Sequence, residues 1–592
     1  MSVNKFRSLT QKFRYFFILH DHLALIFHTV LITIFTATLI NLNSGYNFFI
    51  DDHFVLSLKG IEKYLPGIFS RDYIIQSSNQ AHWPFEYLTY IGLKYSITEV
   101  LYFSYWLLSI FIFSLSLQIF TQKYFAQIKW APYFVVGFVL WGPINLLGAL
   151  GPLYRAAHPA PMGASLILLG LTMLIIGKKF ISWILLFIVF FVHIHQSLLY
   201  SIFLCLSLLF DRSYSKKQII FFSSCIILFL LICYGTAHVL KLDQESSKMI
   251  ELCLRYIPYH CFAKSWQLST FLPLIPTIFF SIILVIYMKK NFNITTLYAL
   301  LPCSLLVFSL LADRLDILFF NFISRRFYLH QFSTFTYVFT AYGLLSCFLY
   351  TTISTKKNLT YYTLTTVLYS GLIIISLWFW VTAPSAILET NPVIGHYFSV
   401  AYVSILYLVT KHLRRINKRY YFLLIALIFA MPTIKLHLEI SPQIIHERNS
   451  IAVMKKFGQN IQKLLSKNSL VLIPPSLIWF RLYAQRSVVV DAKFMPLGGT
   501  AYKEFDTRMT ELSGDWSGIP FLQLSIEKLS ASIKKYKPTH VVLMNIDPKI
   551  NFAKKRWILV MEDHIAGLSL FSVPSSSPIW PEQHIKITLV NP

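Results

Sequence analysis

The chain has 592 residues, of which 56% are hydrophobic, 17% aromatic and only 13% charged, and its mean hydropathy is +0.58. That balance excludes a string of soluble domains and reads as an α-helical polytopic membrane protein. The net charge of +26 does not indicate nucleic acid, because the lysines and arginines fall in short clusters between apolar runs, as membrane topology requires.

Residues 1–22 carry Lys5, Arg7, Lys12 and Arg14 ahead of a first apolar run at 23–42. No small-residue cleavage site follows this run, so it is expected to be an uncleaved first span with the N-terminus in the cytoplasm. A long polar loop, 43–99, comes next and opens with FFIDDHFVLSLKG, in which Asp51 and Asp52 stand side by side. Two carboxylates at head-group depth suit removal of a proton from an acceptor hydroxyl, or the holding of a divalent cation against a phosphate. A helix cap or an interface marker is the plainer alternative. The same loop continues with Arg71 and Asp72 in GIFSRDY and with His82 in HWPFEY. Arg71 and Asp72 read either as a local ion pair or as substrate contacts, and His82 as an interfacial anchor or a contact.

Further apolar runs lie near 100–120, 131–150, 162–177, 180–193, 197–210, 218–238, 271–288, 293–311, 333–352, 359–382, 393–410 and 420–434, giving about thirteen expected spans in all. The runs on either side of HIHQS, 193–197, are short, and topology decides whether they are one helix or two. Basic clusters recur in every second loop: Lys123 and Lys129; Lys178 and Lys179; Arg212, Lys216 and Lys217; Lys289 and Lys290; Lys356 and Lys357; then Lys411 to Arg419. The alternation holds only if HIHQS turns at the outer surface, and it then leaves the chain after 441 outside the cytoplasm. Five cysteines sit inside apolar runs as small hydrophobes, while Cys253 and Cys261 share a polar loop as a bonded or a free pair.

The outer loops gather mixed charge. Arg155 and His158 lie in GPLYRAAHPAP, His193 and His195 in the HIHQS turn, and Arg325 and Arg326 in a later loop. Guanidinium forks match phosphate oxygens, which makes these arginines candidate phosphate binders. His193 and His195 have metal-ligand spacing but no defined third ligand, so substrate or hydrogen-bond contact is favoured and the metal is left open, with a divalent cation the natural candidate. Ordinary solvated loops remain the alternative for the whole set. The spans hold almost no Asp, Glu, Lys or Arg, which argues against an ion-coupled transporter.

After 441 the pattern becomes that of a small α/β domain, 442–592. A helix is expected over SPQIIHERNSIAVMKKFGQNIQKLL, strands over SLVLIPP, RSVVVD and THVVLMN, and a hairpin over RWILVMEDHIAGLSLFSVP. No Gly-rich phosphate loop follows any of these strands, and the chain has no Gly-x-Ser-x-Gly elbow, Walker loop or His-Glu-x-x-His.

This layout resembles the GT-C class of membrane glycosyltransferases. The stretches DDHFVLSLKGIEKYLPGIFSRDYI, HPAPMGASLILLGL and WFRLYAQRSVVVDAKFMPLGG are similar to a group of bacterial multi-spanning proteins of the same plan. The resemblance implies a polyprenyl-phosphate-linked sugar as donor and transfer at the outer face of a bacterial inner membrane to an envelope glycan, lipid or protein. It also implies Asp51 or Asp52 as general base. The Trp-Trp-Asp signature of oligosaccharyltransferases is missing. A lipid-substrate flippase and a non-catalytic assembly factor are the competing expectations.

Overall fold

A computed structural model describes residues 23–42, 45–50, 52–77, 82–141, 153–211, 213–239, 251–252, 255–256, 274–288, 298–314, 335–336, 338–343, 345–346, 445–496 and 501–574. The chain divides into two compact units. One comprises Met1–Asn47, Tyr102–Ile232 and Pro258–Ser441; the other comprises Phe48–Leu101, Cys233–Ile257 and Pro442–Pro592.

The first unit is helical. Three helices of the described chain are long and apolar enough to cross a membrane: Leu23–Leu42, Thr98–Tyr124 and Lys216–Thr236. The last buries little of itself and turns Ile220, Ile227 and Leu231 outward, as a lipid-facing surface would. Shorter apolar helices run from Ala131 to Trp141, Pro159 to Ile175, Lys179 to Val192 and Ile194 to Phe210. The runs on either side of HIHQS are therefore two helices, broken at His193. They fold back on each other, because the Tyr200 hydroxyl meets the Ser182 hydroxyl at 2.6 Å. Gly163 and Gly170 let the preceding helix approach this hairpin closely. A Cβ at Gly163 would lie 2.2 Å from Gln196 Oε1, and one at Gly170 would lie 2.0 Å from the Tyr200 hydroxyl. Small residues at such crossings are the usual means of close helix contact in lipid. The expected spans at 359–382, 393–410 and 420–434, and half of 333–352, lie outside the described residues, as do Cys253 and Cys261.

The second unit is built on a five-stranded sheet in the order β2-β1-β3-β5-β4. Its strands are β1 (Leu470–Leu472), β2 (Ser487–Val488), β3 (His540–Met544), β4 (Ile558–Asp563) and β5 (Leu568–Ser572). They form where the sequence places strands. β1 runs parallel to both β2 and β3, and β5 is antiparallel to β3 and β4. Residues 445–464 are helical, and Phe480–Ala484 forms the short helix between β1 and β2.

The expected boundary at 442 marks only part of this unit. The stretch expected as a polar outer loop forms the helices His53–Leu56, Leu58–Tyr64, Tyr73–Ser77 and Trp83–Lys94. Their Leu58, Ile61, Ile74 and Ile75 are buried in one hydrophobic cluster with Val471, Leu472, Phe480 and Val488 of the sheet layer. Each such side chain contributes about 1.5–3 kcal/mol by leaving water, so the first loop is a structural part of the sheet domain. The apolar residues that do this are spaced for short helices between polar ones, which is why the loop reads as hydrophilic overall.

Candidate functional site

Parallel pairing puts the carboxyl ends of β1, β2 and β3 on one edge. From β1 the chain turns to β2 on one side, and from β3 it leads toward β4 on the other. A divergence of this kind between neighbouring strands is where open α/β sheets characteristically take ligands. The loop after β1 is tied to the loop after β2 by Ala492 N–H donating to Pro475 O at 2.8 Å. The next residue, Lys493, places its ammonium 2.5 Å from Asp52 Oδ1, with both side chains partly exposed at 22% and 30%. The Lys493 ammonium also lies 5.6 Å from the centre of the Trp516 ring. The Trp516 indole N–H donates to Tyr256 O at 3.1 Å. Beside them Gly518 adopts φ +73°, and a Cβ there would come within 2.5 Å of Ser476 Oγ, so glycine is required on both counts. Ser476 Oγ is buried with no hydrogen-bond partner among the described residues. A carboxylate, an ammonium, an indole and a hydroxyl thus converge on one edge, a set able to accept a proton, steady an anion and contact a sugar ring or acyl chain.

Arg71 and Asp72 do not join Asp52. Arg71 donates to Lys537 O at 2.9 Å and to Asn468 O at 3.4 Å, at the amino edge of the sheet. The rise along β1 from Asn468 to Pro475 separates the two edges by roughly 20 Å. Asp72 is fully buried and accepts from Arg481 Nε at 2.7 Å and Nη2 at 3.2 Å, and from Val488 N–H at 3.0 Å. Arg481 also bonds Asp491, whose other oxygen accepts the N–H groups of Lys493 and Phe494 at 2.9 and 2.8 Å. Burial opposes the Arg481 charge, but the two carboxylates outweigh it and hold its pKa above the ordinary value. Burial pushes the Asp491 carboxyl up despite Arg481. The expected substrate contact at Asp72 is thus a buried ion triad joining the first loop to the sheet, and Arg71 is a cap on backbone carbonyls.

His82 precedes helix Trp83–Lys94 as its N-cap position without a side-chain cap bond. In the same helix Glu86 has a buried oxygen, Oε1, with no hydrogen-bond partner among the described residues. Burial raises its pKa to about 7, against the lowering effect of Lys59 and Lys63. Neighbouring His53 is buried and stacks on Phe85 with ring centres 5.8 Å apart.

The remaining candidates belong to the helical unit. Arg155 is half-buried, and its carbonyl accepts from Asn47 N–H at 3.0 Å. His158 caps helix Pro159–Ile175, its Nδ1 accepting from Ala160 N–H at 3.0 Å. His193 caps helix Ile194–Phe210 by accepting from Gln196 N–H at 3.3 Å. The His193 and His195 rings lie 6.4 Å apart. Two of the three histidines thus stop and start helices, a role their position before Pro159 and between two short spans could have suggested. Asp51, Arg325 and Arg326 lie outside the described residues. Among the described residues no group of three or more His, Cys, Asp or Glu is placed to hold a metal ion.

Sequence reasoning counts Glu86 among the mixed charges of the outer loops but gives Lys493 and Trp516 no place at the site. The readable signal for Lys493 was the run SVVVDAK, a strand whose carboxyl end delivers an acid and a base within three residues. Residues 452–512 match the model of a domain of unknown function (DUF6798). This stretch holds β1, β2, Arg481, Asp491 and Lys493. No curated protein matches the chain.

Proposed function

We propose that this protein is a membrane glycosyltransferase of GT-C plan. In this reading it takes a polyprenyl-phosphate-linked sugar and modifies an envelope glycan, lipid or protein on the outer face of a bacterial inner membrane. About thirteen spans carry the chain, the N-terminus is cytoplasmic, and the sheet domain lies outside. The observation that carries the reading is the partly exposed Asp52 carboxylate, ten residues beyond the apolar helix Leu23–Leu42 and beside Lys493. Asp52 accepts the proton of an acceptor hydroxyl as its oxygen bonds the anomeric carbon. The bond from that carbon to the lipid phosphate breaks, and its electron pair leaves with the phosphate. Lys493 is suited to steady the anion that departs.

Topology supports the same reading. Residues 52–97, 255–256 and 445–574 belong to one compact unit, which favours one side of the membrane for all three. Among the described residues the helices between the first two are Thr98–Tyr124, Ala131–Trp141, Pro159–Ile175, Lys179–Val192, Ile194–Phe210 and Lys216–Val239, and an even number is what that placement needs.

The test is Asp52→Asn, with Asp51→Asn in parallel, in cells and in membranes supplied with a polyprenyl-phosphate sugar. Loss of the transferred sugar at unchanged protein level is expected for Asp52→Asn. Normal product from both variants would remove the enzyme reading in favour of a flippase or an assembly factor.

A further inference from the structure

The edge that bears Asp52 and Lys493 also presents bare aliphatic side chains to solvent. Ile546, just after β3, is 78% exposed, and Ile565, at the tip of the β4–β5 turn, is 83% exposed. Asn545 N–H donates to Gly567 O at 2.7 Å, so the two loops that carry them are joined. Ile519, 57% exposed, follows Gly518, whose Cβ position lies 3.4 Å from Met544 Cε at the end of β3. Three loops thus each lift an isoleucine from one end of the sheet. None of the three belongs to the hydrophobic cluster that holds the sheet domain together.

Two segments that follow apolar helices fold onto this same edge. Asp52, ten residues after helix Leu23–Leu42, reaches Lys493. Tyr256, which follows helix Lys216–Val239, receives the Trp516 indole N–H. Chain that comes from an apolar helix and attaches to one edge ten and seventeen residues later tethers that edge on the bilayer side. Trp516 adds the amphipathic ring favoured at head-group depth.

We propose that Ile519, Ile546 and Ile565 form an interfacial anchor, seated in the head-group and upper acyl region of the bilayer that holds this chain's own helices. The occupant is lipid rather than a protein partner because two described segments that follow apolar helices, at Asp52 and Tyr256, attach to this edge. The anchor presses the Asp52–Lys493 pair toward lipid phosphates. It requires only that the chain is embedded in a membrane and does not rest on the glycosyltransferase reading.

The experiment uses the full-length chain in nanodiscs of phosphatidylethanolamine and phosphatidylglycerol. A genetically encoded fluorescent amino acid replaces Ile519, Ile546 or Ile565 in turn. Ile558 is the control: it is 56% exposed, but it pairs with Ser572 at the opposite end of the sheet. Lipids carrying a nitroxide near the head-group end of the acyl chain are expected to quench the three edge positions roughly two-fold or more, with little change at 558. Equal quenching at all four positions, or none at the three, would overturn the proposal. So would a blue-shifted emission at 546 and 565 without quenching, which would place a protein partner there. The three labels sit in separate loops, so misfolding of one variant leaves two readings, and the Asp52→Asn protein should quench as the parent does whatever its activity.

Discussion

Glu86 offers a sharp quantitative test of how the first loop is held in the sheet domain. Its pKa is raised from 4.5 to about 7, chiefly by burial. The folded form therefore binds a proton that the opened form has released between those pH values, and local stability falls as pH rises from about 4.5 through about 7. The difference corresponds to roughly 3 kcal/mol, or up to about 300-fold in an opening equilibrium. Glu86→Gln keeps the shape and removes the charge. Hydrogen exchange of helix Trp83–Lys94 in the full-length protein, corrected for intrinsic rates, is expected to lose protection between pH 5 and pH 8 in the parent. The variant should be nearly flat over that range and better protected than the parent at the alkaline end. The groups that face Glu86 electrostatically are Lys59, Glu62 and Lys63. Lys59→Met should therefore steepen the loss. The same pH dependence in parent and Glu86→Gln would refute the assignment.

Arg481→Leu strands Asp72 and Asp491 without their shared cation and is expected to cost about 3–5 kcal/mol, seen as protease sensitivity of the sheet domain. Adding Asp72→Asn and Asp491→Asn should recover part of the loss, and a protease-resistant single variant would contradict the triad's role. Lys493→Met removes the ammonium beside Asp52, so under the proposed function the acidic limb of the transfer's pH profile should move to higher pH. An unmoved limb would mean that Lys493 does not act through Asp52. In the helical unit, a Cβ at Gly343 would lie 1.9 Å from Phe280 O. Gly343→Ala is therefore expected to displace backbone at a cost of about 1–3 kcal/mol and to lower the yield of monodisperse protein.

The sheet was legible because its strands are short apolar runs ended by prolines, aspartate or a turn: SLVLIPP, RSVVVD and THVVLMN each became the strand expected. The HIHQS break was legible through charge alternation, since the basic loops before and after it keep phase only with two helices. The first loop was not. Leu58, Ile61, Ile74 and Ile75 reach their partners in the sheet across some four hundred residues of sequence, and no local periodicity marks such a contact. The charges were harder still. Arg71, Asp72 and Asp52 look equivalent as neighbours in one polar loop. Folding sends Asp72 into a dry ion triad, Arg71 to the amino edge and only Asp52 to the carboxyl edge. Charge type and nearness in sequence mark ionic groups but do not separate those buried to hold a fold from those that stay partly exposed at an edge.

The shared core also changes how an assembly-factor role can be separated from catalysis. Deleting 442–592 would remove the partners of Asp52 and Asp72 together, since Lys493, Arg481 and Val488 all lie in that stretch. The buried face of helices Leu58–Tyr64 and Tyr73–Ser77 would lose its covering as well. A truncated chain would therefore be inactive under an enzyme and a scaffold reading alike. A point change at the exposed end of the Asp52–Lys493 pair leaves the triad and the core intact. Loss of function in Asp52→Asn with the hydrogen-exchange pattern of helix Trp83–Lys94 unchanged would then belong to chemistry. Retained function in that variant, with loss in Arg481→Leu, would belong to the scaffold.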